Sequence, residues 1–301
     1  MQQAEMVNRL DTFFSIEAFN EAAYWQSVFS NGALRTLQEF VTPAFLEGTW
    51  NGLMLDHAKR IERVYLVTFP TQDVLDTIIA REVAAGASGA LIFAHHLANY
   101  EANGRGYVSI PAEQLEELKE HAISYYTCHA PLDCHPEIST ATALANQLGL
   151  REQTRFAPFF GGLSAVCGVV SKEISFQGFA ARLAKVTDVE GLRYDQVRHD
   201  GLPVHRVAVV PGTGGEAELI EEAVALGCDT YVTGNWWQYS ETERAKSLRT
   251  DMHRFLGNLH MNLLAVSPYA TEMVVLRDQI PGWFRDCGVD VEFVAQDDPW
   301  Q

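Results

Sequence analysis

Two stretches decide how this chain is read: Ala90-Leu91-Ile92-Phe93-Ala94-His95-His96, and Ile123-Ser124-Tyr125-Tyr126-Thr127-Cys128-His129-Ala130-Pro131-Leu132-Asp133. Each opens on a short apolar run that predicts a strand. Each then delivers imidazole, and in the second case a carboxylate, just past the strand end. Neutral imidazole and carboxylate suit Zn, Mn or Fe(II). Loops beyond strand ends are where open α/β sheets hold ligands. On spacing alone, surface histidines and a turn aspartate remain an open alternative.

Working outward, strands and helices alternate. A strand is predicted at 64–69. A helix follows from Thr71 or Gln72, with an apolar stripe of Val74, Ile78, Ile79 and Val83, and ends in the small residues 85–89. The polar stretch 99–109 reads as a loop. Residues 111–122 form an amphipathic helix with Leu115 and Leu118 inside, and 139–148 a helix closed by Gly149. Residues 1–40 are helical in pattern, with aromatics for packing, and 48–53 is rich in turns. Residues 151–204 are less regular, with short strands and a helix at 176–186. Then come a strand at 206–210, a glycine-rich turn, a helix at 216–226 on Leu219, Ile220, Val224 and Leu226, and a strand at 230–233. A helix at 240–259 and strands at 263–266 and 291–294 complete the chain.

Val83-Ala84-Ala85-Gly86-Ala87 and Val224-Ala225-Leu226-Gly227-Cys228 precede strands in the same way. The chain is therefore expected to be α/β: two similar α/β domains with mixed sheets flanked by helices, related by internal duplication. The expected division puts residues 1–130 with 262–301 in one domain and 131–261 in the other.

Length and composition agree with this class. A chain of 301 residues with 47% hydrophobic and 20% charged residues can bury a sizeable core. A net charge of -17 repels phosphate backbones, so nucleic acid is not an expected partner. No apolar run is long enough to span a membrane, and the first residues lack the regions of a signal peptide. The five cysteines include no CxxC pair and read as reduced thiols of a cytoplasmic protein.

Other candidates carry less. Gly212-x-Gly214-Gly215 lies between a strand and a helix, where a phosphate could rest on the helix N-terminus, but the third glycine of a dinucleotide fingerprint is absent. A plain turn is the alternative. Cys134 and His135 flank the second stretch as possible soft ligands or as packed side chains. Trp236 and Trp237 could stack on a planar ring or pack in the core. Glu241 and Glu243 read as solvated. No Gly-x-Ser-x-Gly elbow or Ser-His-Asp arrangement is present.

In order along the chain, Trp50-Asn51-Gly52-Leu53, His95-His96, His129-x-x-Leu132-Asp133, Leu148-Gly149-Leu150, Val210-x-Gly212-x-Gly214, Thr233-Gly234 and Tyr269-Ala270-Thr271-Glu272 resemble the Nif-three-like family (NGG-one-interacting factor three), also labelled GTP cyclohydrolase I type 2. The resemblance runs from about residue 45 to the end. It implies two α/β domains around a dinuclear metal centre and a toroidal homohexamer. Its ligand pattern falls on His95, His96, Asp133 and Glu272, holding one or two divalent metals (Zn, Mn or Fe) per chain. Adjacent histidines at a strand end are expected to point to different sides, one for each metal. His129 is expected to act as a general base or to orient Asp133. One family histidine is replaced: Gly-His-Tyr reads Ser267-Pro268-Tyr269 here.

The function this implies is metal-dependent hydrolysis of a small-molecule substrate, a nucleotide among the candidates, in which a metal-bound water attacks. The rival is a non-catalytic toroidal scaffold or metal-handling protein with a degenerate site.

Overall fold

A computed structural model describes residues 1–301 except 30, 87–88, 102–103, 236–240, 242 and 301. Its strands are β1 (Gly52–Leu55), β2 (Arg63–Val67), β3 (Ala90–Ala94), β4 (Asn99–Glu101), β5 (Gly106–Val108), β6 (Ile123–Thr127), β7 (Leu150–Phe159), β8 (Gly162–Ile174), β9 (Tyr194–Gln196), β10 (Val204–Thr213), β11 (Thr230–Asn235), β12 (Asn262–Ala265) and β13 (Asp290–Phe293). They form two mixed sheets and a small hairpin.

The first sheet has the order β1-β6-β3-β2-β13. Its strands are parallel except β1, which runs antiparallel to β6. The second has the order β7-β8-β10-β11-β12-β9, with β10, β11 and β12 parallel and β7, β8 and β9 antiparallel to their neighbours. Each sheet contains one strand–helix–strand unit of the duplicated pattern. Helix Gln72–Ala85 joins β2 to β3, and helix Ala217–Ala225 joins β10 to β11. The first starts as the sequence predicts, because Thr71 Oγ1 accepts the Val74 N–H at 3.4 Å.

Helix Pro268–Asp278 ties the sheets together. It touches β2 of the first sheet, β10 and β11 of the second, and helix Thr140–Gln147. Its residues from Pro268 to Leu276 are all buried. One apolar cluster runs through it, joining Leu66, Leu91 and Phe93 to Val207, Val232 and Leu264. The core is thus continuous from sheet to sheet.

Several expectations are corrected. The strand Asn262–Ala265, expected with the first domain, pairs with β11 and β9 in the second sheet, and only β13 returns to the first. Val83 and Val224 are exposed at 53% and 48%. In the first helix, Glu82 takes the inward position because Arg63 and the Tyr65 hydroxyl donate to its Oε1 at 2.6 and 2.7 Å. The stretch read as a polar loop at 99–109 contains the β4–β5 hairpin.

The largest difference lies in 151–174, read as irregular and found to be a long antiparallel hairpin. Two residues turn it, Phe160 at φ 44° and Gly161 at φ 92°. Positive φ at both central positions is the hairpin turn that matches strand twist, usually marked by Asn-Gly. Here Phe-Gly conceals it.

Among the described residues no helix is long and apolar enough to cross a membrane.

Candidate metal centre

The C-terminal ends of β3 and β6 lie side by side, and the chain beyond each builds the site. After Ala94 the backbone leaves the pleat. His95 and His96 donate their N–H groups to the carbonyls of Val67 and Thr68 at 2.9 and 3.0 Å. Tyr125 donates its hydroxyl to the His96 carbonyl at 2.7 Å. The two imidazoles therefore do not diverge as strict alternation predicts. Their ring centres are 4.4 Å apart. From the β6 side, His129 adds a third ring, 5.0 Å from that of His95 and 4.9 Å from that of His96. One nitrogen from each of the three rings lies within 4.8 Å of the others, and all three residues are buried.

Carboxylates close the group. Asp133 Oδ1 lies 3.6 Å from His95 Nε2, and Asp133 Oδ2 lies 3.9 Å from His129 Nε2. Glu272 Oε2 is 2.9 Å from His96 Nε2. All five residues singled out in the sequence are thus brought together, with Glu272 reaching in from the first turns of helix Pro268–Asp278 across 176 positions.

The hydrogen bonds show which nitrogens are available. His95 Nδ1 lies 3.0 Å from the Cys128 carbonyl, which can only accept, so that nitrogen carries the proton. Nε2 is left as a bare acceptor. It is buried and has no hydrogen-bond partner, and the same is true of His96 Nδ1. Phe69 stacks on His96 at 4.0 Å and fixes its plane. Two buried imidazole nitrogens without partners are costly in a closed protein interior. A cation with lone-pair acceptors around it is what this donor set fits.

Electrostatics point the same way. Burial, then the neighbouring His95 and His129, hold His96 well below the usual imidazole range, so its contact with Glu272 is not an ion pair. Burial and Asp133 push the Glu272 carboxyl well up. Burial also lowers His95, against the opposing pull of Asp133. His129 behaves differently. Burial opposes its charge, but Glu21, with Asp133 and Glu272, pushes it up to about 9.

Glu21 is the residue the sequence did not reveal. It is fully buried, and its Oε1 lies 2.5 Å from His129 Nδ1. Its Oε2 accepts from Asn51 Nδ2 at 2.6 Å and from the Ala130 N–H at 3.1 Å. Asn51 Oδ1 in turn accepts the His129 N–H at 2.9 Å, which gives the Trp50-Asn51-Gly52 motif a physical role. Thr140 does the corresponding work for Asp133, donating to Oδ1 at 2.6 Å. Carboxylates and hydroxyls in such positions fix the orientation of ligands.

Two candidates drop out of the group. Cys134 donates its thiol to the Phe159 carbonyl at 3.4 Å, and burial and Asp133 push it up to about 12. His135 stacks on Phe13 at 4.6 Å and accepts the Ile138 N–H at 3.0 Å. Both are packing residues. Glu243 is solvated as expected. Trp236 and Trp237 lie outside the described residues.

Pro268 starts the helix that carries Glu272, four residues before it and on the same face. Both line a cleft of about 580 Å³ that opens onto His96, His129 and Asp133. That volume is ordinary for a small-molecule site.

A sequence model of the family described as Duf34/NIF3 (NGG1p interacting factor 3) matches residues 33–291, which include His95, His96, His129, Asp133 and Glu272. The chain belongs to this Duf34/NIF3 family. Glu21 falls outside the matched residues. Named relatives agree. A "GTP cyclohydrolase 1 type 2 homolog" of Deinococcus radiodurans is 30% identical over 192 residues, 64% of this chain and 68% of that one. A protein of the same description from Pyrococcus horikoshii is 28% identical over 261 residues, 86% of this chain and 94% of its own. The fold is also that of a Bacillus cereus protein related to NIF3, at TM-score 0.59 and 14% identity, covering 89% of this chain and 97% of the other.

Proposed function

We propose that this NIF3 family member is a divalent-metal-dependent hydrolase acting on a small molecule in the cleft. The observation that carries the reading is the pair of buried, unpartnered nitrogens, His95 Nε2 and His96 Nδ1, beside the Asp133 and Glu272 carboxylates. His95, His96, Asp133 and Glu272 hold the ion, and His129 Nε2 joins them while its Nδ1–H stays on Glu21. Zn, Mn and Fe(II) all suit such a set.

A divalent metal held there would lower the pKa of a water toward neutrality and so supply a nucleophile at physiological pH. The chain supplies the rest. Phe69, Thr140 and Glu21 fix the planes and directions of the coordinating groups. The aromatic walls of the cleft exclude water and orient a flat substrate.

A second reading keeps His129 off the ion as a proton donor in the reaction, in place of the general base expected from the sequence. Its pairing with Glu21 and its pKa pushed up to about 9 support this, because both keep the imidazole protonated near neutral pH. The metal content of His129→Ala separates the two, falling in the first case and holding in the second.

The family's implied assembly, a closed homohexamer, is part of the proposal. A solution mass near six times 33.5 kDa is expected. Particles of single-chain mass alone at micromolar concentration overturn that part.

Elemental analysis of the purified protein, joined to a hydrolysis assay on a panel of small molecules with and without chelator, tests the function. Bound Zn, Mn or Fe and a chelator-sensitive turnover are expected. A folded protein that takes up none of these ions defeats the proposal.

A further inference from the structure

The cleft's chemistry narrows the substrate, granted the reading of the site just given. We infer that the cleft takes an uncharged or cationic planar heteroaromatic, a nucleoside or its free base, and rejects the phosphorylated forms.

The walls are aromatic. Tyr100 and Trp300 stack on one another at 5.2 Å, and Tyr107 meets Tyr100 edge-on at 5.1 Å. Phe159 and Phe160, at the tip of the β7–β8 hairpin, face the same cleft from the second sheet. Aromatic faces of this kind stack on any heteroaromatic base, because every base has a π-face.

Apart from the proposed ion and His129, a phosphate finds no cationic partner. Among the described residues lining the cleft there is no lysine or arginine, and Glu216 and Glu218 line it in addition to the two carboxylates proposed to hold the ion. Phosphate recognition ordinarily rests on such cations or on free backbone N–H groups. The glycine-rich turn that could have offered those N–H groups has two of them engaged within the protein. Gly212 donates its N–H to Thr271 Oγ1 and Gly214 donates to Thr233 Oγ1, both at 3.0 Å.

The glycines have other reasons to be there. A Cβ on Gly212 would lie 2.5 Å from Glu272 Oε1, and one on Gly214 would lie 2.7 Å from Thr233 Oγ1. The turn is built for close approach of a carboxylate and a hydroxyl. The helix that follows, Ala217–Ala225, turns its positive end toward the cleft, where an anion would otherwise be welcome. Glu216 occupies its N-cap and Glu218 its first turn. Two carboxylates stand at that end, so a triphosphate entering the cleft meets like charge there.

The test is a binding series on the metal-loaded protein, with uptake of the metal measured separately beforehand. Guanosine, adenosine, cytidine and uridine are titrated alongside guanosine monophosphate and GTP, following tryptophan fluorescence. At least one nucleoside is expected to bind, and guanosine at least tenfold more tightly than GTP. In E216K/E218K that preference should shrink or reverse. GTP binding as tightly as guanosine, or no nucleoside binding at all to a protein shown to hold its metal, overturns the inference without touching the metal reading. A protein that holds no metal defeats the earlier reading instead.

Discussion

Glu21 Oε1 sits 2.5 Å from His129 Nδ1, across 108 positions of sequence, and this contact anchors the N-terminal segment to the metal-centre loop. Both groups are buried, so each needs the other. Burial raises the cost of the Glu21 charge, but His129, Asn51 and the Ala130 N–H hold its carboxyl below the usual range. Removing one member of a buried charged pair costs about 3–5 kcal/mol. Glu21→Ala should lose stability of that order in denaturant unfolding. Glu21→Gln keeps an acceptor for His129 and should lose distinctly less. Equal stability of Glu21→Ala and the parent protein would count against the pairing.

Gly212 tests the seating of Glu272. The residue has φ 70°, and an added Cβ would lie 2.5 Å from the Glu272 carboxylate. Gly212→Ala should cost roughly 1–2 kcal/mol in the left-handed backbone region. By pushing a coordinating carboxylate aside it should also weaken metal binding by about 10–100-fold. Titration of the apo protein with Mn or Zn reads the second effect. Unchanged affinity would show that Glu272 does not hold the ion.

Metal uptake should depend on pH, and the direction follows from the protons already in place. Without a cation, His129 is pushed up to about 9 and so carries a proton near pH 7, and burial and Asp133 push Glu272 well above its ordinary value, which favours its protonated form. Coordination requires the deprotonated forms, so binding releases protons. Apparent affinity should rise as pH goes from 6 toward 9. Calorimetry in two buffers of different ionisation heat should report about one to two protons released per ion. In the metal-free protein, the raised His129 contributes its full stabilisation below its unfolded value, and that is lost as pH rises through about 9. Affinity that does not vary with pH would contradict the assignment.

What the sequence reveals and what it hides divide along physical lines. His95, His96 and Asp133 were legible because each lies just past an apolar strand at the ligand-bearing edge of a parallel sheet, and Glu272 through the resemblance of its motif to the family's. Glu21 was not. It stands among aromatics that read as packing, and its partners lie 30 and 108 positions away. No local pattern encodes such a contact. The β7–β8 hairpin was hidden because its ladder is irregular, with a register shift between Arg151 and Thr154, and polar residues from Arg151 to Arg155 blur the alternation. The direction of the two histidines was misjudged because they sit beyond the last paired residue, where the pleat no longer sets side-chain direction.

Pro268 limits how many ions the site holds. In the family pattern this position carries an imidazole four residues before the glutamate. Here the helix starts with proline, whose ring presents no lone pair to a metal. Its backbone is fixed in place, since a Cβ on Gly234 would lie 2.7 Å from Pro268 Cα, so a new side chain would project from the same point. Cys134, His135 and Tyr269 do not compensate. The first two are engaged in packing, and the Tyr269 hydroxyl accepts the Gln296 N–H at 3.2 Å. One ion can draw on three imidazoles and two carboxylates, but a second would share too few ligands to be held tightly. The protein should therefore keep about one ion per chain after dialysis against chelator, and Pro268→His should raise that toward two without changing the assembly. Two ions per chain surviving prolonged chelation in the unmodified protein would show that some other group fills the position.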